Sequence, residues 1–222
     1  MKLPKHYELE RIWAEVPVDY YFRQNLLQRL WHGHKWLVFK RLILDSTSSP
    51  KSILEVGCAS GHLTNLLANL FPHAQVVGVD IYKPAIIEAK KRFPKLSFMT
   101  ADAHKLPFPK YLFDLVISGE TIEHVVDPAQ MLHEIARVLK PSGSALIEMD
   151  SGNWLFRWIW WFWTHFGKGK VWKDAHLHPF TARELEALIT HNGFRVKRKS
   201  FSHLGMAVSF LISPKSFKNL RP

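Results

Sequence analysis

Between residues 53 and 149 the chain alternates short apolar runs with amphipathic segments, and few folds accommodate that rhythm. "ILEV" (Ile53–Val56), "QVVGVD", "LSFMTA", "FDLVIS" and "SALIEM" are strand-length runs rich in Val, Ile, Leu and Phe. "HLTNLLANLF", "KPAIIEAKKRF" and "PAQMLHEIARVL", set between them, carry apolar residues at helical spacing. Continuous apolar runs belong to strands covered on both faces, which in turn requires parallel strands with helices above and below. Further on, "TARELEALITHNGF" reads as a helix with Thr181 as N-cap, Glu184 as its capping-box partner and Asn192-Gly193 as its stop. "RVKRKSF" and "MAVSFLI" follow, joined by a link short enough for an antiparallel pair. The expected architecture is α/β: a seven-stranded, mostly parallel, doubly wound sheet in one domain spanning residues 1–222.

Two segments stand outside the rhythm. Residues 1–48 are expected to form an N-terminal helical cap, helical over 6–44 apart from a break near "VPVD", with Leu26, Leu27, Leu30, Trp31, His34, Val38 and Leu42 near one face. Residues 151–175 form an aromatic-rich insertion after the fifth strand, with "NWLFRWIWWFWTHF" at its heart. A membrane span needs about 20 apolar residues, and this run is shorter and contains Arg157. Three readings stay open for it. It is a lid over a substrate pocket that touches a membrane surface through Trp154–Phe166, a core or dimer interface, or a platform on which nucleobases stack.

Charge bears on the same choice. The formal net charge is +11, and after residue 150 twelve Lys/Arg face only three acids. A basic surface beside aromatics suits anionic headgroups, and less directly nucleic acid. Cys58 is the single cysteine, which excludes an intrachain disulfide and multi-cysteine zinc sites. The N-terminal residues hold no apolar stretch of signal-peptide length, so the expected location is cytoplasmic, peripheral to the inner face of the membrane. The oligomeric state is left open.

The chemistry starts at "LEVGCASGHLT", where glycines follow a strand and open a helix, so the backbone turns sharply and approaches a ligand. Asp80 ends the second strand, where a carboxylate accepts both hydroxyls of a ribose, and Asp102 ends the third, near the amino edge of a base. An NAD site expects a tight G-x-G-x-x-G, whereas Gly57 and Gly61 stand four apart with Ala59 between them.

"ILEVGCASG", "VVGVD", "TADAHKLPF", "FDLVISGETIEHVVDP" and "LKPSGSALIEM", in this order, resemble the motifs of class I S-adenosylmethionine-dependent methyltransferases. The likeness runs from about Ile53 to Glu148 and resumes at "HPFTARELEALITHNGF", and it is similar to the small-molecule subgroup that includes ubiquinone-pathway methyltransferases. The resemblance implies that S-adenosylmethionine is the cofactor. It implies that Glu55 and Gly57 border the methionine part, with Cys58, Ala59 and Gly61 also in the cofactor site. Asp80 would hold the ribose, Ile81 would meet adenine, Asp102 and Ala103 would meet the base edge, and Ser118 is a further candidate for the cofactor site. Ala59 departs from the family's middle glycine.

"GETIEHVVDP" heads to the substrate side. A helical turn over Glu120–Val125 would bring Glu120, Glu123 and His124 to one face. That E-x-x-E-H resembles the metal motif of ubiquinone-pathway O-methyltransferases and of small-RNA 2′-O-methyltransferases, which implies a divalent ion, Mg or Zn, held by Glu120, Glu123, His124 and His176. The same four residues are the candidate catalytic set. The expected activity is methyl transfer to a small, hydrophobic, hydroxyl-bearing acceptor, quinone- or lipid-like, at the membrane surface. The alternatives are an RNA 2′-O-methyltransferase and an inactive cofactor-binding scaffold.

Overall fold

The computed structural model describes residues 13, 14, 16–19, 22, 26–46, 49–166, 169, 170 and 176–215. The helix expected over residues 6–12 and the parts of the insertion at 167, 168 and 171–175 lie outside them. In chain order the elements are α1 (Leu26–Ser46), β1 (Ser52–Val56), α2 (His62–Leu70), β2 (Gln75–Asp80), α3 (Lys83–Arg92), β3 (Ser97–Thr100) and β4 (Phe113–Gly119). Then come α4 (Pro128–Val138), β5 (Leu139–Asp150), α5 (Trp154–Phe166), α6 (Ala182–His191), β6 (Phe194–Ser202) and β7 (Ala207–Pro214).

The seven strands form one sheet in the order β3-β2-β1-β4-β5-β7-β6. Neighbours from β3 to β5 pair in parallel, and β7 runs antiparallel to both β5 and β6. This is the expected doubly wound sheet. The order reverses between β1 and β4, and open α/β sheets bind ligands at such a switch point, beyond the carboxyl ends of the strands.

Strand alternation sorts the core into two layers. Leu54, Val56, Val116, Ile147 and Phe210 point to the face covered by Met131, Leu132 and Ile135 of α4 and by Leu185 and Ile189 of α6. Ile53, Leu115, Ile117, Leu146 and Leu211 point to the other, covered by Phe39, Leu42 and Ile43 of α1 and Leu67 of α2. On that second face Ile86 and Ala89 of α3 pack with Phe98 and Cys58 in a smaller cluster of their own. The same parity sends Glu55, Glu148 and Asp150 toward the α1 side, and it is this that furnishes the site.

Local signals end the helices as expected. Thr181 accepts from the Glu184 amide while the Glu184 carboxylate takes the Thr181 N–H, a complete capping box. Asp127 caps α4 through the Gln130 amide, with Pro128 in its first turn. Of the α1 residues expected near one face, Leu42 is buried. Leu26, Leu30 and His34 are exposed, and the stripe against the sheet is Lys35, Phe39, Leu42 and Ile43. Leucines occur on both sides of this helix, and Lys35, which hides that stripe from view in the sequence, is buried because its partners are.

Candidate active site

Gly57 and Gly61 have φ of +81°, and a side chain at Gly57 would come within 2.1 Å of the Thr121 hydroxyl. The β1–α2 turn therefore lies directly against the β4–α4 loop. Ala59 between them also adopts a left-handed backbone, φ 45°, at a cost that a glycine there would not carry. Asp80 anchors this turn, as its carboxylate accepts the Ala59 and Tyr82 amides, both at 2.8 Å. Burial pushes the Asp80 carboxyl up, and those amides pull it part of the way back.

Beside it, Glu55 is buried and accepts the Thr64 hydroxyl. Burial raises its carboxyl to about 8, against the pull of that hydrogen bond. Burial also drives the Cys58 thiol well above its usual value, which leaves it a packing group. Asp102 accepts from the amide and from Nδ1 of His104, the latter at 2.6 Å.

These residues open into a cavity of about 620 Å³, within the range of small-molecule sites. Glu55, Gly57, Cys58, Ala59, Asp80, Ile81, Asp102 and Ala103 line it. Gly61 and Ser118 do not. Gly61 caps α2 with its Cα packed under Phe98. Ser118 shares the parity of Val116, so its side chain is buried on the α4 side of the sheet, away from the cavity.

The other half of the cavity is walled by Trp31, Lys35 and Phe39 of α1, by Phe156, Trp160 and Trp163 of α5, and by Trp13, His124 and His176. At its floor is a charge cluster. Lys35, 7% exposed, pairs with Glu120 and lies 2.8 Å from Oε1 of Glu148. Burial alone would pull the Lys35 ammonium down, but Glu120, Glu148 and Asp150 hold it well above its ordinary value. Burial raises Glu148 to about 7 against the pull of Lys35, and Asp150 is raised for the same first cause. Glu120 goes the other way: burial raises it, but Lys35, His32 and His124 together hold it down.

Residues 121–124 form a turn, with the His124 amide on the Thr121 carbonyl at 2.9 Å, but Glu120 lies outside it with φ 49°. That left-handed backbone breaks the helical register and turns the Glu120 carboxylate to Lys35 rather than to Glu123. Donor atoms of Glu123, His124 and His176 do lie within 4.8 Å of one another, and Glu120 is not in that group. Both carboxylate oxygens of Glu123 are buried without a hydrogen-bond partner, and burial raises the carboxyl well above its ordinary value. A divalent cation would satisfy this donor set of one carboxylate and two imidazoles. The Glu123 carbonyl accepts the Leu177 and His178 amides at 3.0 Å each, which brings His176 to His124, their ring centres 4.8 Å apart. Trp160 stacks on His176 at 4.3 Å, and Trp13 meets His124 edge-on at 5.1 Å. Desolvation, with the neighbouring His124, lowers His176 to about 3.

Sequence reasoning missed Lys35, Glu148 and Asp150. The signal was present: two acids two residues apart at the carboxyl end of a buried strand, "IEMD", and one lysine inside an apolar helical stripe.

The "Methyltransferase domain" family matches residues 54–147. A probable S-adenosylmethionine-dependent methyltransferase of Mycobacterium tuberculosis is 30% identical over 161 residues, covering 72% of this chain and 52% of that protein. The demethylmenaquinone methyltransferase of Chlorobaculum tepidum is 33% identical over 143 residues, covering 63% of this chain and 58% of that protein. The chain thus spans only part of these relatives' length. In fold it is similar to a possible histamine N-methyltransferase from Thermotoga maritima, with TM-score 0.69 and 22% identity over 93% of this chain and the whole of that one.

Proposed function

The chain carries a class I S-adenosylmethionine-dependent methyltransferase domain, and from that premise we propose that it methylates a small hydrophobic acceptor through a hydroxyl. The observation that carries this reading is the two-part cavity. One end has the carboxylates and tight turn suited to the cofactor, and the other has aromatic walls around His124 and His176. The demethylmenaquinone methyltransferase among the relatives favours a quinone-like acceptor.

Bound S-adenosylmethionine supplies an electrophilic methyl on a sulfonium. Asp80 and the turn at Gly57 would hold the cofactor, with Glu55 beside them in the cavity wall. Phe156, Trp160 and Trp163 enclose the acceptor's apolar body and exclude water from the reacting atoms. His124, which lines the cavity, would take the acceptor's hydroxyl proton, the methyl being what bound S-adenosylmethionine would supply. A divalent cation held by Glu123, His124 and His176 would instead supply Lewis-acid polarisation of that hydroxyl.

Incubation with S-adenosylmethionine carrying a labelled methyl tests the reading, with a bacterial lipid extract and total RNA supplied in parallel. Label is expected in the organic phase. Label confined to RNA would overturn the acceptor class, and label nowhere, with cofactor bound, would favour an inactive scaffold.

A further inference from the structure

α5 has two faces of different purpose. Phe156, Trp160 and Trp163, spaced at i, i+4 and i+7, line the cavity. Trp154, Trp158, Trp161, Phe162 and Phe166 form the opposite stripe and point outward. Trp154 is 80% exposed, Trp158 63% and Phe166 68%. Five bulky aromatics on one exposed helical face amount to a contiguous apolar patch, and such patches mark interaction sites. Arg157 lies within that stripe, one turn from Trp154 and Trp161, and is exposed.

α1 repeats the pattern. Leu26, Leu30, Leu37 and Leu44 are exposed at spacings of four and seven residues, with Arg29, Lys40 and Arg41 exposed among them. Its one acid, Asp45, is paired with Arg198 of β6. From residue 151 to 173 the sequence holds four Lys/Arg and no acid. Both helices also wall the acceptor half of the cavity, α1 through Trp31 and Lys35, α5 through Phe156 and Trp160. Thus two walls of one site each present an apolar, basic outer face.

We infer that the outer faces of α5 and α1 dock on an anionic lipid bilayer, so that the acceptor enters the cavity from the membrane rather than from water. The charge decides for this occupant. Indole rings with interspersed Arg and Lys fit the headgroup boundary, where the ring is half-solvated and the cation meets a phosphate. A second copy of this chain would set the same basic residues against each other across a two-fold interface. No helix among the described residues is long and apolar enough to cross a membrane, and a 13-residue helix lying in the interface plane needs no such length. The inference rests on the hydrophobic-acceptor reading for its purpose, though not for its geometry.

Sedimentation of the full chain with phosphatidylcholine vesicles, with and without phosphatidylglycerol, tests it. Binding is expected with phosphatidylglycerol, weakened by salt, and accompanied by quenching of tryptophan emission when brominated lipid is used. The triple variant W154S/W158S/F162S removes only outward side chains, and its affinity for the vesicles should fall roughly a hundredfold. Calorimetric binding of S-adenosylmethionine by the same variant should be unchanged, which certifies its fold. No wild-type binding to either vesicle, or equal binding by the variant, overturns the inference while leaving the acceptor reading intact if cofactor binds. A concentration-dependent dimer that the triple variant dissolves, in the absence of vesicle binding, overturns it in favour of a second copy. Label found only in RNA, with vesicle binding present, removes the acceptor reading and spares the docking face.

Discussion

Nζ of Lys35, on helix α1, lies 2.8 Å from Oε1 of Glu148, near the carboxyl end of strand β5. The pair, completed by Glu120, joins a segment outside the family match to residues at the heart of the site. Removing one member of a buried ion pair leaves its partner charged and unsolvated. Lys35→Met is therefore expected to cost about 3–5 kcal/mol in urea unfolding. Adding Glu148→Gln should recover part of that loss in a double-mutant cycle. A loss below about 1 kcal/mol, the range of exposed pairs, would contradict the arrangement.

Cofactor binding should depend on pH through Glu55. Its carboxyl sits at about 8 in the ligand-free site because burial disfavours the charge. A cationic ligand beside it requires the carboxylate, so each binding event below that pH releases a proton. The affinity for S-adenosylmethionine is expected to rise with pH by up to about tenfold per unit and to level off above about 8. The sign for stability is opposite. Between the ordinary carboxylate value and about 8 the folded, ligand-free chain keeps a proton that the unfolded chain has lost, so stability falls as pH climbs through that window. Calorimetry in buffers of different ionisation heat and thermal melts across this range measure both. Glu55→Gln should flatten the melt profile.

Ala59→Gly should stabilise the protein. Ala59 holds φ at 45° while donating its amide to Asp80. Relief of that backbone, less the added freedom of the unfolded chain, gives about 1 kcal/mol. For a domain of this size that is a rise of about 2–4 °C in Tm. The opposite change next door, Gly57→Ala, should lower Tm and weaken cofactor binding, because it combines φ +81° with a collision against Thr121.

Glu123 and Glu120 should part company in a metal assay. Elemental analysis of protein purified without chelator is expected to find a divalent ion that Glu123→Gln or His176→Ala reduces at least tenfold. Glu120→Gln should leave the content unchanged, since that carboxylate serves Lys35. In the absence of any metal, His124→Ala should still lower kcat by about 10²–10⁴ as the lost proton acceptor.

What was legible in the sequence was the part governed by local rules. Strand runs such as "QVVGVD" and the Thr181–Glu184 cap fall where pattern and capping chemistry put them, with β2 at Gln75–Asp80 and α6 starting at Ala182. The glycine turn and Asp80 were readable because a nucleotide site is made from consecutive residues at a strand end. The acceptor side was legible in part: Glu123, His124 and His176 were expected together and their donor atoms lie within 4.8 Å, whereas Lys35, Glu148 and Asp150 come from α1 and β5. No spacing relates Lys35 to Glu148. Glu120 failed the helical-turn expectation for a single reason, a left-handed backbone at a residue that is not glycine. The buried face of α1 was not legible, because an apolar stripe with a lysine in it looks like an exposed one.

The aromatic insertion is moored at both ends by hydrogen bonds to main-chain carbonyls outside it. The Ser151 amide donates to the Met206 carbonyl at 2.7 Å, and the Leu177 and His178 amides share the Glu123 carbonyl. Peptide groups are the same whatever side chains lie between them, so these moorings do not depend on the tryptophans. The stretch between them is thereby a cassette. Its outward residues can be exchanged, and with them the surfaces it meets, while the sheet and the cofactor turn stay where they are.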